Sequence, residues 1–432
     1  MIKEIKIANY KSIVDIGVNL GRFNVLIGEN GCGKSNILEG IALAAAASSD
    51  RLDFEYFQNR GVRVVEPKLM VSAFSNPKDD SIRILCREEN KYQSFYFLSY
   101  DSSAKPPRWY NRIDYLDEIH TLGIIKALLR NKKKVYQIIP KIAELRKEIC
   151  EFERIFDKDL FAVYENTMFK TQRIEDKNLF AQTLDRIIEN YEEVSKACPN
   201  LYRYVRKEFI EKPILSDYLI YAPEESMLRS FSDYRTYPLG IRGEGLFRYL
   251  KEMSQRKDAK KFFKALKDNL AILDWFEGMN IPKSQISNDY TIQIKDQYIG
   301  ETIKYFDQNS TNEGFLFLLF YTTLFISEDT PKFFAIDNLE TSFNPKMCRE
   351  ITRRLIELAK KYDKQVLITT HNPSILDGLD INNEDERLFV IRRNLDGHTQ
   401  VNRVEYKSKE KEDLPLSEAW LKGYLGGLPK NF

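Results

Sequence analysis

Gly28-Glu29-Asn30-Gly31-Cys32-Gly33-Lys34-Ser35 decides the reading of this 432-residue chain. The stretch fits the pattern G-x-x-x-x-G-K-[ST] of a phosphate-binding loop at every required position. Its surroundings have the form such a loop needs. Phe23–Ile27 is a short apolar run of strand type, and residues 36–47 read as the helix that follows. Successive backbone N–H groups in the loop make a concave anion site, and the helix N-terminus adds positive potential. Gly28, Glu29, Asn30, Gly31, Cys32, Gly33, Lys34, Ser35 and Asn36 are therefore the candidate nucleotide-binding residues. Lys34 is expected to reach the β- and γ-phosphates, and Ser35 to hold Mg²⁺ through its hydroxyl.

The bulk numbers set bounds around that loop. The length exceeds the usual single domain, and 43% hydrophobic residues are ample for a core. With 30% charged residues and a net charge of +2, the surface is mixed, and charge argues neither for nor against nucleic acid. No stretch approaches the roughly 20 apolar residues of a membrane span. The opening Met1-Ile2-Lys3-Glu4 reads as a strand and not as a leader. The expectation is a cytoplasmic protein with no membrane partner. Cys32, Cys86, Cys150, Cys198 and Cys348 are scattered without metal-type spacing, and three histidines are too few for a His-rich metal site.

Two further pieces lie downstream. Phe333-Phe334-Ala335-Ile336-Asp337 reads as a buried strand ending in a carboxylate, which would complete a metal site with Ser35. Thr369-Thr370-His371-Asn372-Pro373 directly follows the apolar run Val366-Leu367-Ile368. A His at a strand end can sense a γ-phosphate or orient an attacking water. Around these pieces the pattern is α/β, with helices expected over 313–326 and 345–362 and a hairpin about Asp396-Gly397. Strands are expected at 68–74, 81–86 and 93–98. Between residues 115 and 211 only Gly123 remains of the glycines, and apolar residues such as Ile138, Ile142, Leu145 and Ile149 recur at helical spacing. The expected organisation is 1–110 with the phosphate loop, 111–212 as a mostly helical insertion, and 213–432 with the remaining motifs.

In this order the pieces resemble the ABC-type ATPases of the RecF, SMC, Rad50 and OLD group. Ile5-Lys6-Ile7-Ala8-Asn9-Tyr10-Lys11-Ser12-Ile13 is similar to that group's first strand, Gly28 to Ser35 to its Walker A loop, Phe333 to Asp337 to its Walker B strand, and Thr370-His371 to its switch histidine. The resemblance implies an ABC-ATPase head, a mixed β-sheet flanked by helices, with ATP and Mg²⁺ as ligands. It also implies two heads arranged head to tail, hence a homodimer or larger oligomer. In that arrangement a signature motif acts on the ATP of the other subunit. The best match is Ser310-Thr311-Asn312-Glu313-Gly314, with Asn312 where the usual Ser stands, and an amide-rich helix start suits a γ-phosphate. Thr341-Ser342-Phe343-Asn344 would lie at the dimer seam, and Gln58 is the candidate Q-loop glutamine.

One position departs from the group. After the Walker B Asp it usually carries a Glu that polarises water; here Asn338 stands in Asp337-Asn338-Leu339-Glu340. Asn can orient water but cannot accept its proton. Either Glu340 supplies the carboxylate, or hydrolysis is slow and the chain is a nucleotide-held switch; losing a general base removes about 10²–10⁴-fold, which favours the second. The layout resembles the stand-alone ATPase subunits of the anti-phage systems Septu and PARIS, which pair such an ATPase with a separate nuclease effector. About 60 residues follow His371, too few for a fused Toprim nuclease of the OLD kind. Two alternatives stand beside this reading. One is a RecF-like DNA-binding repair ATPase using Lys132-Lys133-Lys134 or Lys260, Lys264 and Lys267. The other is a non-hydrolysing scaffold that ATP stabilises. Tyr221-Ala222-Pro223-Glu224-Glu225-Ser226 and Arg229 read as a strand-to-helix turn with no assigned role.

Overall fold

In a computed structural model of the chain, the structure describes residues 1–49, 51–74, 81–89, 93–101, 103, 108–111, 151–152, 154, 197–198, 214–230, 238–282, 292–300, 305–405 and 414–428. The chain divides into two compact units: Met1–Gln93, Phe97–Tyr110 and Ile214–Phe432 form one, and Ser94–Tyr96 and Asn111–Pro213 the other. The helical insertion expected over 111–212 and the Lys132-Lys133-Lys134 cluster lie almost wholly or wholly outside the described residues.

In chain order the described elements are β1 (Ile2–Tyr10), β2 (Ile13–Asn19), β3 (Phe23–Ile27), α1 (Lys34–Ser48), α2 (Phe54–Gln58), α3 (Pro67–Met70), β4 (Ile82–Glu88), β5 (Gln93–Asp101) and β6 (Arg108–Asn111). Then come β7 (Ile220–Tyr221), α4 (Glu225–Arg229), α5 (Leu246–Ser254), α6 (Ala259–Leu270), β8 (Phe276–Asn280), β9 (Gln293–Asp296), α7 (Glu313–Ile326), β10 (Phe333–Ile336), α8 (Pro345–Lys361), β11 (Gln365–Thr369), β12 (Glu386–Arg393), β13 (Thr399–Arg403) and α9 (Leu416–Leu421).

The central sheet has the order β13-β12-β3-β11-β10-β7. Its strands from β12 to β7 run parallel, and β13 returns antiparallel to β12 as the second arm of the expected hairpin. Parallel strands covered on both faces read as unbroken apolar runs. That is how Phe23–Ile27, Phe333–Ile336 and Gln365–Thr369 read, and every residue of the three is buried. A second sheet, order β2-β1-β4-β5-β6, pairs β1 antiparallel with both neighbours. The architecture is the mixed-sheet α/β class expected from the sequence.

Helix α1 touches β1 and β4 of one sheet and β7 and β11 of the other. A helix enclosed in this way must be apolar on every side. Residues Gly40 to Ala47 are all buried, and five of them are Ala, small enough for close approach. A Cβ at Gly40 would stand 2.9 Å from Ile7 Cδ1. The sheets are also joined through Gln365, which accepts from Ile2 N at 2.8 Å and donates to Ile2 O and Gly21 O at 2.7 Å each. On the other side of the central sheet, α7 buries every residue from Phe315 to Ile326. Its Phe320 and Phe325 meet Tyr221 and Phe334 edge to face.

One expected strand is corrected. Residues 68–74 do not form one: Pro67 occupies the first turn of the short helix α3, and only Val71 bridges to Tyr10. Proline fixes φ near the helical value and cannot donate to a ladder, so it starts a helical turn readily.

The enclosure of α1 makes a prediction. Leu and Ala have similar helix propensity, so an exposed helix would tolerate the exchange. Ala44→Leu is expected to cost about 1–3 kcal/mol by overpacking, read as a lower denaturant midpoint; an unchanged midpoint would show that α1 is not enclosed.

Candidate nucleotide site

The order of the central sheet explains why three distant stretches meet. Strand β3 runs into the glycine loop, β11 beside it ends at Thr370-His371, and β10 beyond that ends at Asp337. Neighbouring strands are about 4.8 Å apart, so the loop and the Asp stand roughly 10 Å from each other with the His strand between them. All three lie at the carboxyl edge of a parallel sheet, where ligands bind in open α/β folds.

A cleft of about 380 Å³ opens there, lined by Asn30, Gly31, Gly33, Lys34, Ser35, Asn36, Arg63, Asp337, Asn338, His371 and Arg393. It brings together the Lys, the Ser, the Asp, the Asn and the His that the sequence singled out. Gly28, Gly31 and Gly33 have φ of 150°, 75° and 112°, values that L side chains adopt at a cost. The Lys34 ammonium is nearly buried and donates to Gly28 O at 2.8 Å and Glu29 O at 3.0 Å. Burial pushes its pKa down, and the charges of Cys32, Asp337, Glu340 and Glu29 oppose that push. Cys32 sits buried below, its thiol pushed up chiefly by desolvation.

Asp337 accepts from the Thr369 hydroxyl, whose oxygen also accepts from Asn338 N at 2.9 Å. Asn338 has φ 56°, a region that Asn tolerates better than most residues. Glu340 is not among the residues lining the cleft; its Oε1 accepts from His371 N at 2.9 Å. Hard oxygen donors suit Mg²⁺, which is held by one or two protein groups with phosphates and water supplying the rest. The Ser35 hydroxyl and the Asp337 carboxylate facing one cleft fit that demand. Among the described residues no group of three or more His, Cys, Asp or Glu could hold a metal alone.

Several residues were missed by sequence reasoning. Thr369 orients Asp337 and Asn338 together. Arg393, at the end of β12, donates to Gly31 O at 3.0 Å and lines the cleft. Thr399 donates to Cys32 O at 2.9 Å, and its oxygen lies 2.7 Å from the Ser12 hydroxyl, which accepts from Asn36 at 2.7 Å. Glu39, buried on α1, is held by Lys11 and Arg63 at 2.5 Å each and by the Tyr10 hydroxyl at 3.0 Å. The stretch Tyr10-Lys11-Ser12 carried a usable signal, because the resemblance already rested on it. Gln58 lines an adjoining cleft of about 400 Å³ that shares Ser35, Arg63 and Asp337 with the first.

The signature-like stretch begins α7. Asn312 caps the helix by accepting from Phe315 N at 2.8 Å, Ser310 N donates to Asp307 at 2.8 Å, and Ser310 is exposed. Glu313 accepts from the Ser342 hydroxyl, so this stretch and residues 341–344 are joined within one chain. Arg229, unassigned from sequence, donates to the backbone oxygens of Gln308, Asn309 and Thr311 and to Glu225. It clamps the loop ahead of α7.

A P-loop cleft with a Walker B carboxylate and a strand-end His defines a nucleotide-binding ATPase. The chain belongs to the AAA ATPase domain family, whose profile matches residues 1–376. No curated protein matches the sequence. Among solved structures it is similar to an Smc head bound to the C-winged helix domain of ScpA, at 12% identity over 94% of this chain and 98% of that one, TM-score 0.45. A second is an Smc head with an extended coiled coil bound to the C-terminal domain of ScpA from Pyrococcus furiosus, at 11% identity over 94% and 96%, TM-score 0.45. A third is the SMC head from Thermotoga maritima, at 11% over 94% and 99%, TM-score 0.42. Among the described residues no helix is long and apolar enough to cross a membrane.

Burial, and next the Lys34 charge, hold His371 below its ordinary pKa, against the pull of Glu340 and Asp337. The neutral imidazole is thereby favoured to lower pH than in a free histidine. If turnover uses the neutral ring, the midpoint of the acid fall in kcat/KM lies below the ordinary histidine value of about 6.5. A pH profile whose His371-dependent midpoint lies above that value contradicts this state of the ring.

Proposed function

We propose that the chain is an ATP- and Mg²⁺-dependent ATPase of ABC type that turns over slowly and works as a nucleotide-held switch. The observation that carries this reading is Asn338. It lines the cleft beside Asp337 and His371, at the place where the related group carries the residue that polarises water. Lys34 and the loop amides bind the phosphates, Ser35 and Asp337 hold the metal, and His371 reads the γ-phosphate. Mg²⁺, held by Ser35 and Asp337, would neutralise phosphate charge. Asn338 orients the water without accepting its proton.

On the same reading two chains assemble head to tail, each offering Ser310, Asn312, Glu313 and Gly314 to the partner's ATP. Ser310 and Asn312 are exposed, as such a contact requires. The resemblance to Septu and PARIS ATPase subunits extends the proposal to a sensor or regulatory subunit in anti-phage defence, with a separate protein, a nuclease, as effector. The DNA-repair alternative draws on α6, where Lys260, Lys261, Lys264 and Lys267 are exposed while Phe262, Leu266 and Leu270 are buried. A steep fall of DNA affinity with salt favours that alternative.

The test is turnover of the purified chain beside Lys34→Ala, Asp337→Asn and Asn338→Glu, with native mass measured with and without ATP. The first two variants are expected to abolish turnover. Asn338→Glu is expected to raise it by about tenfold or more, within the range a general base supplies. Turnover that is fast in the native chain and unchanged in Asn338→Glu sinks the slow-switch reading.

A further inference from the structure

We propose that Glu340 is a positioning residue for His371 and not the base that activates water. The inference rests on the reading of His371 as the γ-phosphate sensor, and it names what holds that sensor in place.

The geometry starts at the turn after β10. Asn338 in the left-handed region reverses the chain, and Leu339, fully buried, donates its N–H to Thr369 O at 3.2 Å. That hydrogen bond registers the turn against the end of β11. It brings Glu340 under the residues that continue β11, where Oε1 accepts the His371 N–H at 2.9 Å. A carboxylate accepting a backbone N–H makes a charge-assisted hydrogen bond, about twice as strong as a neutral one. The bond fixes the backbone on which the imidazole stands. Asn372, the next residue, is held as well: its N–H donates to the Thr370 hydroxyl at 3.0 Å, and its side chain caps Ser374 N at 2.9 Å. The strand end is thus fixed at successive residues, and at His371 itself Glu340 supplies the support.

The other carboxylate oxygen excludes the alternative role. A general base must lie within hydrogen-bond reach of the water it deprotonates. Glu340 Oε2 is buried from solvent and has no hydrogen-bond partner among the described residues. Burial, and next the Glu340 charge, raise the pKa values of the Tyr321 hydroxyl and the Cys348 thiol, and the same charge acts on Lys34 and His371. Oε1 is occupied by the His371 amide. Neither oxygen is presented to the cleft, whereas Asn338 and His371 both are.

A positioning role and a base role make opposite demands on the side chain. The amide oxygen of Gln accepts an N–H as a carboxylate does, but no amide accepts a proton from water. Turnover and ATP binding are to be measured for Glu340→Gln, Glu340→Ala, His371→Ala and the double variant Glu340→Ala/His371→Ala, with thermal midpoints as the folding control. The expected result is a Glu340→Gln variant within about threefold of the native kcat. Glu340→Ala should lose about tenfold in kcat at nearly native ATP affinity, the size of one lost hydrogen bond expressed in the rate. The double variant should be no slower than His371→Ala alone, because Glu340 acts through that residue. A Glu340→Gln variant as inactive as His371→Ala makes the carboxylate the base and overturns the inference, even if Glu340→Ala does not fold. Losses that multiply in the double variant overturn it as well. If His371→Ala itself turns over normally, the reading of His371 as sensor has failed, and that outcome is separate from the other two.

Discussion

The phosphate loop leaves no room for a side chain at Gly28 or Gly33, and the rest of the site depends on that. A Cβ at Gly28 would stand 2.2 Å from Ile391 O, and one at Gly33 would stand 2.2 Å from Thr399 Oγ1. The β12–β13 hairpin therefore backs the loop, and Thr399 holds the loop carbonyl of Cys32. The far end of the described chain adds support. Gly427, itself at φ 76°, would place a Cβ 3.4 Å from Gly28 Cα and 2.8 Å from Val390. A backbone held this closely keeps its N–H groups in an anion-binding arrangement before any ligand arrives, so little ordering remains to be done on binding.

The same constraint accounts for α1. The loop can deliver Lys34 and Ser35 to the carboxyl edge only if the helix behind it has a fixed place, and enclosure between two sheets provides one. Tyr10, Lys11 and Arg63 then converge on Glu39, one turn beyond Ser35. A carboxylate that is 2% exposed needs such partners, since an unpaired buried charge is costly. Packing and the polar site are in this way one arrangement: Arg63, which neutralises Glu39, also lines the cleft.

What was legible in the sequence was local. The glycine loop, the strand ending in Asp337 and the strand before His371 each announce themselves within eight residues, because apolar runs and special backbone conformations demand particular residue types. The α/β class followed from alternating patterns. What was not legible was contact between strands far apart in sequence. Thr369 reads as one more residue of a buried strand; only the neighbouring positions of β10 and β11 reveal that its hydroxyl serves both Asp337 and Asn338. Arg393 reads as the end of a hairpin arm until β12 is placed beside β3. The turn misread as a strand at 68–74 shows the opposite error, apolar residues weighed above the proline before them. Arg229 has one local partner, Glu225 at i−4, but the backbone oxygens it clamps lie some 80 residues away, a separation the hydrogen bonds themselves give.

Lys34 adds the last step. Its ammonium is folded onto two loop carbonyls, and on the proposed reading phosphate would draw it away from them. The exchange trades neutral acceptors for fully charged ones in a partly desolvated cleft, where charge-assisted hydrogen bonds are the stronger kind. On the proposed reading, the groups that would grip the phosphates line the cleft, while the position beside Asp337 holds an amide. Asp337 is engaged by Thr369, while one oxygen of Glu340 holds the His371 amide and the other is buried. On the reading proposed here, a site so divided holds ATP far longer than it takes to bind it. Its output is then the shape and assembly of the nucleotide-bound chain, not the rate at which product leaves.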